Sequence, residues 1–472
     1  MAFVWNLVGF LGENLSAVHW VIEGVLICAV SYLLVQKSYK PKVKKISLKE
    51  EEELLREWEP VPLVPPLSDR HKLDVETAPE FEGTIIPRTR VQNTDALNLT
   101  CASYLGLVVH PAVVDAARQA LKKYGTGSCG PRGFYGTIDV HLQLEKDIKR
   151  FFEREDSVIY SSHYAAVTSI IMSLSGKYDI LIVDSGVRHS IKVGVDLSRA
   201  KVYWFEHNNI DELEKIWVKL DKDRKSGVLP KSTRFWVMVE GVYENFGDMC
   251  DLPRLLDLKK RYCFRIFLED SNGIGVLGEH QRGTLEHYGF PQNSVEIIVG
   301  SLATVMSSDG GFCTGDSDIV DFQRLSASGY VFSASQPPFL ASSAISVLQI
   351  LNTDEGRALR EDLANLIETF HREGAKVLSP HFTMVSSELS PVQHLQLENP
   401  QDNDLSDERT LQQIVDACLE SEVLITRAKY VEEWNGKPLP SIRVLLNTTL
   451  TESDIHHVCQ TLASAANRIL VK

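Results

Sequence analysis

The chain has 472 residues and a formal net charge of −14, with 44% hydrophobic and 24% charged residues. That length allows two or three packed units, and so large an acidic surplus argues against a nucleic-acid binder, which needs a basic face. Eight scattered cysteines include no CxxC pair and no Cys/His cluster of zinc-ligand spacing, which argues against a structural metal and for a reduced, cytosol-facing body.

Ala17–Val35 is mostly apolar, interrupted by His19 and Glu23. At 1.5 Å per residue it is about 28 Å long, just enough to cross a bilayer core. A carboxylate at the bilayer centre costs roughly 2.5–3.5 kcal/mol. Glu23 lies in the first third of the run, where the penalty is smaller; a buried or interfacial helix is the other reading. No basic residue precedes the run and no small-x-small site follows it, which argues against a cleaved signal peptide. The first basic residue is Lys37, followed by Lys40, Lys42, Lys44 and Lys45. The positive-inside rule then predicts a single-pass anchor with the large body cytosolic, and the marginal span suits a thin bilayer such as the endoplasmic reticulum. Ser47–Trp58 predicts a short charged helix, with Ser47 and Glu50 as a capping box. Pro60–Pro66 predicts an extended arm. The expected organisation is an anchor segment over 1–36, a linker over 37–94, a large domain over 95–342 and a small C-terminal domain over 343–472.

From about Asn98 the pattern is α/β. Asp179–Asp184, Val202–Phe205, Arg234–Glu240 and Phe264–Glu269 predict buried strands, with helices at Asp211–Leu220 and Pro253–Tyr262 between them. That alternation predicts a mainly parallel sheet with helices on both faces and ligands at the carboxyl ends of its strands. Val295–Val299, the stretch Gly300–Gly311 and Gly311–Thr314 read as strand, tight loop and returning strand. Beyond Ser343, helices at Arg357–Glu373, Leu411–Leu419 and Asp454–Ile469 and short strands at His394–Leu397 and Ile442–Leu446 predict a small α+β unit.

Two runs carry a family resemblance. Leu268–Gly283 (LEDSNGIGVLGEHQRG) resembles the signature of the α-oxoamine synthases, fold-type I pyridoxal-phosphate enzymes that condense an amino acid with an acyl-CoA. Lys122–Thr137 (KKYGTGSCGPRGFYGT), followed by Asp139, Val140 and His141, is similar to one branch of that family, the eukaryotic serine palmitoyltransferase subunits. The resemblance runs from about residue 95 to the C-terminus. It implies an aminotransferase-like α/β fold and a dimer with active sites between protomers.

In that family a lysine in the loop after the Val295 strand forms a Schiff base with the cofactor. Here no lysine occurs between Arg261 and Ala375, and anchoring on Gly310 and Gly311 puts Thr304 at that place. A hydroxyl cannot form an imine. The family aspartate that pairs with the pyridinium nitrogen corresponds to Glu269, and a family histidine near the phenolic oxygen corresponds to Asn272. The histidine that stacks on the ring corresponds to Arg188 by counting from Asp184 to Gly194, with His189 one place off. The resemblance further implies that Ser333 and Ser335 reach a partner's cofactor phosphate, as hydroxyl donors, or else form a plain turn before Pro337. Cys129, Gly130, Arg132 and Tyr135 would line the shared cleft, with a small buried thiol as the other reading of Cys129. Arg443 falls where the family clamps a carboxylate, and without a neighbouring cofactor a structural ion pair is expected instead.

The resemblance thus implies a non-catalytic subunit of a heterodimer that joins L-serine to palmitoyl-CoA, giving 3-ketosphinganine, carbon dioxide and CoA, the first step to sphingolipids. A lysine-bearing partner of the same fold would hold pyridoxal phosphate, with none covalently on this chain. Two other readings stand beside it: a regulatory scaffold that docks such a partner without contributing to its site, and a self-sufficient enzyme with another nucleophile.

Overall fold

A computed structural model describes residues 15–36, 46–401, 404–430 and 438–471, with side chains from His19 onward. The chain divides into two units, Met1–Pro66 and Leu67–Lys472. The lysines from Lys37 to Lys45 lie outside the described residues.

The first unit holds the helices Leu15–Val35 and Leu48–Glu57. In the first, Trp20, Val21, Ile22, Val25, Leu26, Ile27, Leu33, Leu34 and Val35 are all exposed. His19 Nε2 lies 3.4 Å from Glu23 Oε1, one turn on. Among the described residues, however, no helix is long and apolar enough to cross a membrane. The polar pair sits in the N-terminal half of this helix. The expected transmembrane helix is not found as such. The second helix starts as predicted: Glu50 N donates to Ser47 Oγ and Ser47 N to Glu50 Oε2, at 3.3 and 2.9 Å.

The second unit is built on a seven-stranded sheet: β1 (Asp156–Tyr160), β2 (Ile180–Asp184), β3 (Lys201–Phe205), β4 (Phe235–Glu240), β5 (Arg265–Glu269), β6 (Ile297–Ser301) and β7 (Gly311–Gly315). The order across the sheet is β1-β7-β6-β5-β4-β2-β3. β7 is antiparallel to both its neighbours, and the other pairs are parallel. Each predicted strand of this sheet is present within a residue or two of its expected ends, and β1 is an addition. The strands are almost wholly buried because helices cover both faces, except β3: the expected buried strand there lies at the sheet edge, and of its residues only Phe205 is buried. Trp217, from the helix Ile210–Lys225, stacks on Phe264 with ring centroids 4.7 Å apart.

Two corrections concern the boundaries. Residues 67–94 are not linker. Arg88–Val91 and Thr94–Asn98 form a hairpin whose two turn residues, Gln92 and Asn93, have φ of 49° and 69°, as a type I′ turn requires. That hairpin pairs with Val423–Leu424, and buried Arg70 reaches Glu408 at 2.8 Å, so the segment is packed against the C-terminal part. The expected break at 342 falls inside the helix Pro338–Leu351, which packs on Pro111–Tyr124 and Asp139–Phe151. The C-terminal part otherwise matches expectation, with helices Asp354–Val377, Asp404–Glu420 and Glu452–Leu470 and an antiparallel sheet that includes Val392–Leu397 and Ser441–Leu445.

Candidate functional site

The carboxyl ends of β4 and β5 carry one acid each. Glu240 and Glu269 are register partners on these adjacent parallel strands, and both are fully buried. Register partners point to the same face, and the strands lie about 4.8 Å apart, so two carboxylates are forced side by side without water. Arg188, in the turn after β2, meets both: its Nε lies 3.0 Å from Glu240 Oε2 and 3.2 Å from Glu269 Oε2. Its Nη2 lies 3.4 Å from Glu244 Oε2, and its backbone N–H donates to Glu240 Oε1. The other oxygen of Glu269 is 3.0 Å from His163 Nε2 and accepts from the Ser271 hydroxyl.

The charges divide unevenly. Burial pushes Glu240 up, to about 8, and the neighbouring Glu269 and Glu244 add to this against the pull of Arg188. Burial also raises Glu269, but Arg188, His163 and Ser271 outweigh it and hold that carboxyl below its ordinary range. Glu244 is held low, chiefly by Arg188 and then, after the opposing effect of burial, by Arg443.

The positions singled out in the sequence converge here. Arg188, His189, Asn272, Thr304 and Arg443 all line one cavity of about 340 Å³. Arg188 is the residue that reaches Glu269. His189 lies on the wall with its Nδ1 3.2 Å from the Tyr164 hydroxyl. Thr304 donates its hydroxyl to the Ser271 carbonyl at 3.1 Å. Asn272 accepts from the Tyr104 hydroxyl at 2.8 Å and donates to the Val242 carbonyl. Arg443 pairs with Glu244 at 3.7 Å, the ion pair expected of it. Sequence reasoning missed Glu240, Glu244 and His163. The signal for Glu240 was a lone acid closing an otherwise apolar strand.

The cleft residues separate. Cys129 is exposed, at a φ of 59°, so it is not the small buried thiol that was the alternative. Tyr135 is 75% exposed, as are most of Phe134 and Phe332. Arg132 is buried, paired with Glu145 at 3.0 Å and lying over the Tyr330 ring. Gly130 is buried against Tyr135. Ser335 does not face outward: it is buried, and its hydroxyl donates to the Gly136 carbonyl at 2.7 Å and contacts the Ser128 hydroxyl. The reason is that the chain before Pro337 folds inward, with Ser335 N donating to the Gly130 carbonyl. Ser333 stays half-buried, 3.2 Å from the Ser161 hydroxyl.

A separate polar cluster braces β2. His207 Nδ1 lies 2.8 Å from Asp184 Oδ1, and its Nε2 lies 3.1 Å from Asp248. The Tyr243 hydroxyl donates to the second oxygen of Asp184 at 2.9 Å, and the His207 ring stacks on Phe246.

The residues of this site do not fit a pyridoxal phosphate of the chain's own. The acid that would neutralise a ring nitrogen has His163 and Ser271 on one oxygen, and its other oxygen, which accepts no hydrogen bond, already faces the Arg188 guanidinium at 3.2 Å. The loop residue that would need an amine is Thr304.

The chain is similar to known proteins over nearly its whole length. The family Aminotransferase class I and II matches residues 94–462. A Dictyostelium discoideum protein named serine palmitoyltransferase 1 is 39% identical over 458 residues, covering 95% of this chain and 94% of that protein. An Oryza sativa subsp. japonica protein named long chain base biosynthesis protein 1c is 37% identical over 453 residues, covering 96% and 92%. The solved structure of a Sphingomonas wittichii serine palmitoyltransferase superposes with a TM-score of 0.74 at 24% identity, covering 85% of this chain and 96% of that one, and shows the shared fold.

Proposed function

Since the chain belongs to the class I and II aminotransferase family, and within it groups with proteins named serine palmitoyltransferase 1 and long chain base biosynthesis protein 1, we propose that it is the non-catalytic first subunit of a serine palmitoyltransferase. The heterodimer condenses L-serine with palmitoyl-CoA to 3-ketosphinganine and opens sphingolipid biosynthesis. The observation that carries this reading is Thr304: a family fold whose reactive loop presents a hydroxyl committed to the Ser271 carbonyl rather than an amine. Pyridoxal phosphate then sits on a lysine-bearing partner, which supplies the Schiff base. This chain contributes the exposed face around Cys129, Phe134, Tyr135 and Phe332 to the shared cleft, with Ser333 as the one remaining hydroxyl for a partner's phosphate.

The same reading places the chain at the endoplasmic reticulum membrane with its large body cytosolic. It is supported by the exposed apolar side chains from Trp20 to Val35 and by the lysines that follow them in the sequence. Alkaline carbonate extraction and protease protection of microsomes test it; release of the full-length chain into the carbonate supernatant removes the membrane assignment.

The decisive experiment for the subunit role is affinity purification of the tagged full-length chain from detergent extract. A lysine-bearing homologue should co-purify, and synthase activity should appear only when both chains are present. Activity of the partner that is unchanged without this chain overturns the role.

A further inference from the structure

We propose that Arg188 is a built-in cation: its guanidinium fills the place that Glu240 and Glu269 create at the strand ends, closing this half-site to a pyridinium-bearing cofactor, and a free guanidinium-class cation takes that place when the side chain is removed. The inference deepens the subunit reading, on which it rests, by assigning the reason why this chain carries no cofactor even non-covalently.

The register of β4 and β5 makes the need for a cation. Glu240 and Glu269 are paired and wholly buried, and buried carboxylates must be compensated by charge and hydrogen bonds or give up their charge. One planar fork serves three acids here. Arg188 Nε stands between Glu240 and Glu269 at 3.0 and 3.2 Å, and Nη2 reaches Glu244 at 3.4 Å. A lysine ammonium, as a single point, could not span that arrangement. Arg188 is itself only 7% exposed, so it is a resident of the core and not a swinging surface group. His163 and Ser271 take the far oxygen of Glu269. Its other oxygen, Oε2, accepts no hydrogen bond and has Arg188 Nε beside it at 3.2 Å. Space is not what shuts the site, since a cavity of about 340 Å³ remains beside Arg188. Charge is: an arriving pyridinium would meet a fixed guanidinium, since Arg188 lines that cavity and stands 3.2 Å from Glu269.

The test uses the full-length chain in detergent. Arg188→Ala should lower Tm by several degrees. Millimolar methylguanidinium should restore most of the loss, and methylammonium at the same ionic strength should not. The triple variant Arg188→Ala/Glu240→Gln/Glu269→Gln, which removes the acids together with their cation, should recover a Tm close to that of the native chain. Pyridoxal phosphate titrated onto the native chain should give no saturable change in absorbance or protein fluorescence. Saturable binding to the native chain overturns the proposal, and so does a triple variant as unstable as the single one with no rescue by methylguanidinium, which would make Arg188 a packing residue. If Arg188→Ala does not fold, the triple variant and the native titration decide. Co-purification of a lysine-bearing partner is a separate readout, so the subunit reading and this inference fail independently.

Discussion

The Tyr104 hydroxyl lies 2.8 Å from Asn272 Oδ1, joining two buried residues 168 positions apart. This bond ties the segment after the N-terminal hairpin to the loop that follows β5. Burial, with lesser help from Glu244, raises the Tyr104 phenol far above its usual value, so it stays a neutral donor. Asn272→Ala strands that donor and should cost about 1–3 kcal/mol. Tyr104→Phe with Asn272→Leu removes both partners and should cost less than the sum of the single changes. A double-mutant cycle from denaturant unfolding checks it; strict additivity would show that the bond contributes nothing.

His207 should make stability depend on alkaline pH. Burial alone would lower its pKa, but Asp184 and Asp248 on its two nitrogens raise it to about 9. The folded value thus exceeds the unfolded value of about 6.5. The added stability is fully present below about 6.5 and is lost as pH rises through about 9, by at most roughly 3 kcal/mol. His207→Gln should flatten the unfolding midpoint across that window. A native chain whose midpoint is constant from neutral pH to beyond 9 would rule the charged imidazole out.

The cleft loop should be intolerant at one glycine and indifferent at another. A Cβ on Gly136 would fall on the backbone carbonyl of Gly130, which has no room to yield because Ser335 N is already bound to it. A Cβ on Gly127 meets nothing within 4 Å. Gly136→Ala should therefore lower stability by about 1–3 kcal/mol, the usual range for overpacking, and reduce the synthase activity of the co-purified complex. Gly127→Ala should leave both unchanged. Equal behaviour of the two variants in thermal unfolding and activity would contradict the loop geometry.

Much of the fold was readable because β2, β4 and β5 are short apolar runs separated by amphipathic helices. The hairpin at 88–98 was hidden by its arginines and aspartate and by a turn of Gln92 and Asn93 in place of glycine. At the site, Thr304, Glu269, Asn272 and Arg188 were found through the resemblance; Thr304, Asn272 and Arg188 line one cavity, and Glu269 is buried against Arg188. What Arg188 does there was not readable. It depends on Glu240 lying beside Glu269, and strand register across a helical crossover leaves no trace in the spacing of either residue. Ser335 was misplaced for a similar reason, since a side chain's direction in a turn follows from packing and not from the turn's residues.

β7 runs back along β6, and Leu302 N donates to the Gly310 carbonyl at 2.9 Å where the two strands part. The crown between them, which includes Thr304, is stapled shut at its base and adds nothing to the ladder beneath. Reagent and chassis are therefore separable components. Two chains of this design can divide their labour, one keeping the reactive group and the other only the frame, without either having to be redrawn.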